Sequence, residues 1–290
     1  MKKLTACALL FVSLAAYSQP GSEIYLFDLR LKKDNVSIDN PKNITNHKGY
    51  DNQPSFHIDK PLIYYASFND EGRSEIKFFN YKSEETKALT QTQEKEYSPT
   101  LTPDKEFVSC IIQRDNGAQD LGKYPVMGGE PTVLVSNLVV GYHVWADNSH
   151  LGLFVLGQNG GPNDLHYLRL PTKSDTIVAQ NIGRSLHKIP NETAISFVHK
   201  ISEKEWVIKK FNTSTHEVST IATTLPGNED MCWTPDGKIL MSGGSKIYWI
   251  DPKTDVVWKE VKIEVPTALK GISRIAVNAS GNKLAAVIAE

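Results

Sequence analysis

The chain has 290 residues, a formal net charge of −1, 40% hydrophobic and 22% charged residues. These are the proportions of an ordinary water-soluble folded protein. A balance this close to neutral gives no electrostatic drive toward nucleic acid or an anionic membrane surface, so neither is expected as a partner.

The first twenty residues are MKKLTACALLFVSLAAYSQP. Lys2 and Lys3 precede an apolar run over residues 4–16, and Ala16 and Ser18 form a small-x-small pair. This is the pattern of a secretory signal cleaved after Ser18. The run is well short of the ~20 residues needed to span a bilayer as a helix. Cys7 imitates a lipidation site but follows Lys3 by four residues, too soon for an apolar core to precede it. The expectation is a signal over 1–18, a single domain over 19–290, no transmembrane segment, and a periplasmic or secreted mature protein.

Next come two strand-like runs, SEIYLFDLR and PKNITN, with the polar LKKDNVSID between them read as an exposed insertion. Residues 53–67 then read QPSFHIDKPLIYYAS: a large apolar residue, a tight turn at Asp59 and a strand. A near copy, SPTLTPDKEFVSCII, follows at 98–112. Aligned on the large apolar residue, the copies fall at Phe56, Leu101, Trp145, Ile189, Trp233 and Val277, one interval of 45 and four of 44. Three residues after each anchor stands Asp59, Asp104, Asn148, Glu192, Asp236 or Ser280, and most of these residue types favour tight turns. Two more strand-like runs complete each unit, such as SEIKFFNY with TKALT and NDLHYLRL with DTIVAQ. Four strands in about 44 residues is the size of a propeller blade. No stretch keeps an apolar period of 3.6, so helical readings lose.

The last unit supplies only ISRIAVNAS and NKLAAVIAE, while the N-terminal runs match third and fourth strands. Joined, the two halves make a sixth blade, and the 272 residues from 19 to 290 give about 45 per blade. The expected fold is therefore all-β: a six-bladed β-propeller of four-stranded antiparallel blades, its ring closed by the N-terminal strands, which removes the frayed edges of an open sheet. Cys110 falls in blade two and Cys232 in blade five, on opposite sides of such a ring. A disulfide needs Cα atoms within about 7 Å, so none is expected. Trp145 and Trp233 are expected to pack between blades.

The segments PSFHIDKPLIYYAS, PTLTPDKEFVSCII and WTPDGKILMSGG resemble the P-x-[FW]-[ST]-P-D-G-x-x-[IL]-x-[FY]-x-S repeats of TolB-like six-bladed propellers. Repeats at Trp145 and Ile189 keep the phase but lose the Pro-Asp-Gly turn. The resemblance implies a secreted or periplasmic propeller that acts as a binding or interaction platform.

Fold does not specify function. The sequence holds no G-x-S-x-G elbow, no paired-histidine zinc helix at His216, no calcium-loop motif and no C-x-x-C. The Gly-rich GQNGGP at 157–162 is not followed by a helix and reads as a strand connection. The remaining candidate is the funnel formed by the segments that lead into each innermost strand. These segments converge Tyr50, Asp51, Glu96, Tyr97, Tyr142, His143, Arg184, His187, Glu229, Asp230 and Arg274 from positions about 44 apart. Convergent polar and aromatic groups over a concavity suit a ligand site. Polar groups there also satisfy strand ends, the blander role. His143 and His187 share a phase but lack a third metal ligand beyond Glu229 or Asp230. The other histidines, among them His47, His57 and His150, are scattered and read as surface or core. The expected function is non-catalytic recognition of an envelope protein or extracellular polymer, without a cofactor. The alternative is a calcium-dependent lactonase or hydrolase, in which Glu96, Asn228, Glu229 and Asp230 imitate the ligand set of gluconolactonase-type propellers.

Overall fold

The computed structural model describes residues 20–265 and 269–290. The signal segment at 1–18 lies outside the described residues. Six antiparallel sheets are arranged as blades, and among the described residues there is no helix. Blades one to five begin with the inner strands Asp51–Phe56, Lys95–Leu101, Val140–Trp145, Ile182–Lys188 and Met231–Trp233, and each meanders outward through three more strands. Every anchor except Ile189 therefore lies on an inner strand, and Ile189 follows the end of one.

The sixth blade is composite. From the channel outward it runs Ile275–Val277, Lys283–Ala289, Ser22–Lys32 and Asn35–Asn43. The closing pair is antiparallel over seven positions, from Ser22 opposite Ala289 to Asp28 opposite Lys283. Two features depart from the sequence reading. The polar segment LKKDNVSID is not a loop: only Lys33 and Asp34 turn, and the chain re-enters the sheet at once. Val36 and Ile38 pull it in, because both are fully buried against Leu29, Trp249 and Val261. In addition, Lys262–Glu264 adds a fifth, outermost strand, parallel to Asn35–Asn43, with Ile263 opposite Ile38. A segment of alternating charge covers the edge of the closing blade, one of the ways sheets protect their edges.

The core is divided into six apolar clusters, one at each seam between neighbouring blades. Period-two alternation in each strand sends one face to each neighbouring seam, so second and third strands are buried on both sides. Ile63 and Tyr65 face the six–one seam while Tyr64 and Ala66 face the one–two seam. Trp145 packs at the two–three seam and Trp233 at the four–five seam, as the repeat register requires. Their indole Nε1 groups donate to Ser109 Oγ at 2.9 Å and Ser196 Oγ at 2.8 Å in the preceding blade. Cys110 lies in the one–two seam and Cys232 in the five–six seam, both buried and free.

In blades one, two, five and six the tight turns between first and second strands are locked from the position after the anchor. His57 Nδ1 accepts from the backbone N–H of Asp59 and Lys60 at 3.0 Å. Thr102 and Thr234 use their hydroxyls on Asp104 and Asp236 at 2.5 Å, and Asn278 Oδ1 accepts from Asn282 and Lys283. These turns occupy one face of the ring. The opposite face carries the funnel.

Candidate functional site

The inner strands of blades one to four contain a register shift before the anchor, between Asn52 and Ser55, Tyr97 and Thr100, Val140 and Tyr142, and Ile182 and Leu186. Such bulges re-aim side chains and recur beside functional sites. In blades one and two the bulge places Gln53 and Ser98 at φ of 59° and 55°. That left-handed conformation is costly for a residue with a Cβ. It is held in place across the seam: Ser98 N–H donates to Gln53 Oε1 at 2.8 Å.

The re-aimed residues surround a funnel of about 480 Å³. Tyr50, Tyr97, Tyr142, Arg184 and Arg274 line it, as the repeat phase anticipates. Burial drives the phenols of Tyr50 and Tyr97 above the ordinary tyrosine range, so both stay neutral donors. Their rings meet edge to face at 6.5 Å. The Arg274 guanidinium lies 4.8 Å from the Tyr142 ring centroid, and its Nη2 donates to the Tyr142 hydroxyl at 2.8 Å. Gly271 also lines the wall, at φ 55°, where a Cβ would come within 2.8 Å of Ala289.

The other expected residues stand elsewhere, because adjacent strand residues alternate sides. Asp51, Glu96 and His143 turn away from the funnel into the seams and are buried. Asp51 makes a long contact of 3.5 Å with His47, and burial raises its pKa. Glu96 sits in the one–two seam, accepting from Thr92 Oγ1 at 2.7 Å and the Tyr124 hydroxyl at 2.9 Å. Burial raises its pKa to about 7, with the nearby Glu75 carboxylate adding to the effect and the two hydroxyl bonds opposing it. His143 Nε2 is 2.7 Å from Ser109 Oγ. Burial lowers both His143 and His187 to about 4, so both are neutral at physiological pH. Among the other histidines, His57 is a core turn lock and His166 bonds Asp175 at 2.8 Å.

Glu229 and Asp230 serve as counter-ions below the arginines. Arg184 grips Asp230 in a fork, Nε to Oδ1 at 3.0 Å and Nη2 to Oδ2 at 2.6 Å. Arg274 Nη1 reaches the same carboxylate at 3.4 Å. Glu229 accepts from the Arg184 backbone N–H at 3.1 Å and pairs with Lys200 at 3.1 Å. Burial acts against the charge on Arg184, but the hydrogen bond and charge of Asp230 outweigh it and hold the guanidinium above its ordinary range. Of the groups considered as calcium ligands, Glu96 is held by Thr92 and Tyr124 in the one–two seam, Glu229 and Asp230 are adjacent and paired with cations, and Asn228 donates to the Pro226 carbonyl. Among the described residues no three His, Cys, Asp or Glu side chains form a group able to hold a metal ion.

Several wall residues were not singled out from the sequence. Asn52 and Gln53 neighbour the chosen residues, whereas Gln113 and Gln119 flank the loop between the second and third strands of blade two. In an antiparallel blade that loop opens on the same face as the lead-in to the inner strand. The sequence signal was therefore the second–third strand loop of each repeat. Ser22 and Ser273 come from the closing blade. Among the described residues the funnel wall includes no His, Cys, Lys, Asp or Glu.

No family model matches the chain, and no curated protein matches it. Solved structures do. A putative TolB from Agrobacterium tumefaciens superposes with a TM-score of 0.71 at 13% identity, over 94% of this chain and 99% of that one. The fold is that of the TolB-like six-bladed propellers. TolB from Acinetobacter baumannii matches with a TM-score of 0.59 at 12% identity, over 93% of this chain and 64% of that one. A gluconolactonase from Xanthomonas campestris reaches 0.63 at 10% identity, over 94% and 98%. These likenesses concern the fold, which binding proteins and enzymes share, so function must be argued from the funnel.

Proposed function

We propose that the protein is a non-catalytic binding propeller, exported to the periplasm or beyond, which recognises an envelope protein or an extracellular polymer through the funnel face. The composition of the wall carries this reading. Tyrosines, arginines and amides converge on a cavity of ligand size, and no described wall residue supplies a general base, a carboxylate or a thiol. The hydroxyls of Ser22 and Ser273 have no imidazole or carboxylate in the wall to activate them. Tyr and Arg are the residues that most often carry recognition energy. The TolB-like fold supports the same direction, and export rests on the signal pattern at 1–18.

The calcium-dependent lactonase remains the second reading, favoured by the gluconolactonase likeness. It would have to draw its ligands from outside these carboxylates, which hydroxyls and cations already hold. Capture from envelope extract tests the choice. The mature protein should retain a specific partner that the Tyr142→Ala, Arg274→Gln double variant loses and Lys105→Gln, on the turn face, keeps. Retention by the double variant, or loss only after chelation, would overturn the binding reading.

A further inference from the structure

We infer that the funnel takes a sugar acid, its carboxylate against Arg184 and Arg274 and its hydroxylated ring over the tyrosines; this rests on the binding reading above and deepens it. The first observation is charge. Three cations, Arg184, Arg274 and Lys200, converge on two carboxylates, Glu229 and Asp230. Lys200 is occupied by Glu229 and by the Trp206 ring, 4.4 Å away. Arg184 is held by Asp230 in a fork and lies 3.5 Å from Glu229, Arg274 reaches Asp230 only at 3.4 Å, and three cations on two carboxylates leave one positive charge over. Among the described residues nothing accepts from Arg184 Nη1 or Arg274 Nε, and the wall has no carboxylate to do so. A guanidinium with unused donors facing a partly enclosed cavity is matched by a carboxylate.

The second observation is the rest of the wall. Gln113 and Gln119 each present a donor and an acceptor, the pair that a sugar hydroxyl needs, and Gln53, whose Oε1 accepts from Ser98 N–H, adds an amide donor. Tyr50, Tyr97 and Tyr142 bring aromatic carbon and hydroxyl tips to the wall, although Tyr50 is largely buried and the Tyr142 ring carries Arg274, and such mixed groups suit a ring that is apolar on its C–H faces and polar at its rim. Aliphatic side chains are sparse, chiefly Ile111 and Leu156, so the wall lacks the apolar pocket into which a peptide inserts its anchor side chains. A volume of about 480 Å³ accommodates a ligand larger than one sugar ring. Together these favour a sugar acid, free or at the end of a chain, over an acidic peptide.

Isothermal titration of the exported protein tests this with glucuronate, a glucuronate-containing trisaccharide, glucose, maltotriose, inorganic phosphate and pentaglutamate. The sugar acids should bind at least tenfold more tightly than their neutral counterparts, and added salt should weaken them. The trisaccharide and monosaccharide arms distinguish a chain end from a free sugar. Arg274→Gln should lose tenfold or more, Tyr142→Phe less, and Lys105→Gln nothing, with thermal unfolding confirming that each variant is folded. Should Arg274→Gln fail to fold, the salt dependence and Tyr142→Phe still decide. Equal binding of neutral and acidic sugars, or tighter binding of phosphate or pentaglutamate, would overturn the inference. If envelope capture still depends on Arg274 while no sugar acid binds, the inference fails and the binding reading stands.

Discussion

Glu96 and Tyr97 are neighbours in the repeat phase, yet only one of them faces the funnel. A strand sends neighbours to opposite sides, and only Tyr97 reaches the wall. Glu96 is instead a buried acid near Glu75, with a pKa raised to about 7 by burial above all. A folded-state pKa above the unfolded value means that folding favours the protonated form. The stability this provides is fully present below the unfolded value near 4.5 and is lost as pH rises through about 7. Wild type minus Glu96→Gln should therefore show a Tm difference that falls between pH 5 and 8. His143 and His187, lowered to about 4, act with the opposite sign, their contribution being lost as pH falls from 6.5 through 4. A flat difference for Glu96→Gln would contradict the burial described. At the arginines, Asp230→Ala leaves two guanidinium groups without their shared acceptor, and urea unfolding should report a loss of about 1–3 kcal/mol.

At the scale of elements, much was legible because the signal is periodic. Turns, second strands and anchors repeat every 44 or 45 residues, and the inner strands and turns lie where that spacing puts them. The bulges were not legible. Each adds a residue to one strand of a pair without changing the apolar pattern, and the sequence marks them only by residues such as Gln53 and Ser98 before proline. The segment 31–39 reads as an insertion because polar residues dominate it, whereas two buried residues, Val36 and Ile38, decide its structure; residues 41–43, expected as strand, are strand. The edge strand Lys262–Glu264 had no counterpart in the repeat to reveal it. The closing strand is the element most exposed to test. Val287 is 1% exposed in the six–one seam, so Val287→Asp places an unpaired charge there and should cost at least about 3 kcal/mol in chemical denaturation.

The whole molecule is a ring of six seams with no single centre. Each blade contributes to two clusters, so the fold should unfold as one cooperative unit rather than blade by blade, and a mutation at one seam should lower the single transition. The cysteines report on this directly. Cys110 is 0% and Cys232 4% exposed, in separate seams, and burial pushes both thiols well up. Both should resist a thiol reagent in the native protein and react together on unfolding; reaction of either in the folded state would show a seam opening independently. Export is tested by intact mass, which should correspond to loss of residues 1–18.

The central claim is that the molecule works through its funnel face. Hydrogen exchange of the protein with and without whatever envelope protein or polymer it captures addresses this most directly. Protection is expected at residues 50–53, 113–119, 140–142 and 269–275, with the turns at 57–60, 102–105 and 234–237 unchanged. Protection confined to those turns, with the funnel segments unaffected, would contradict the claim.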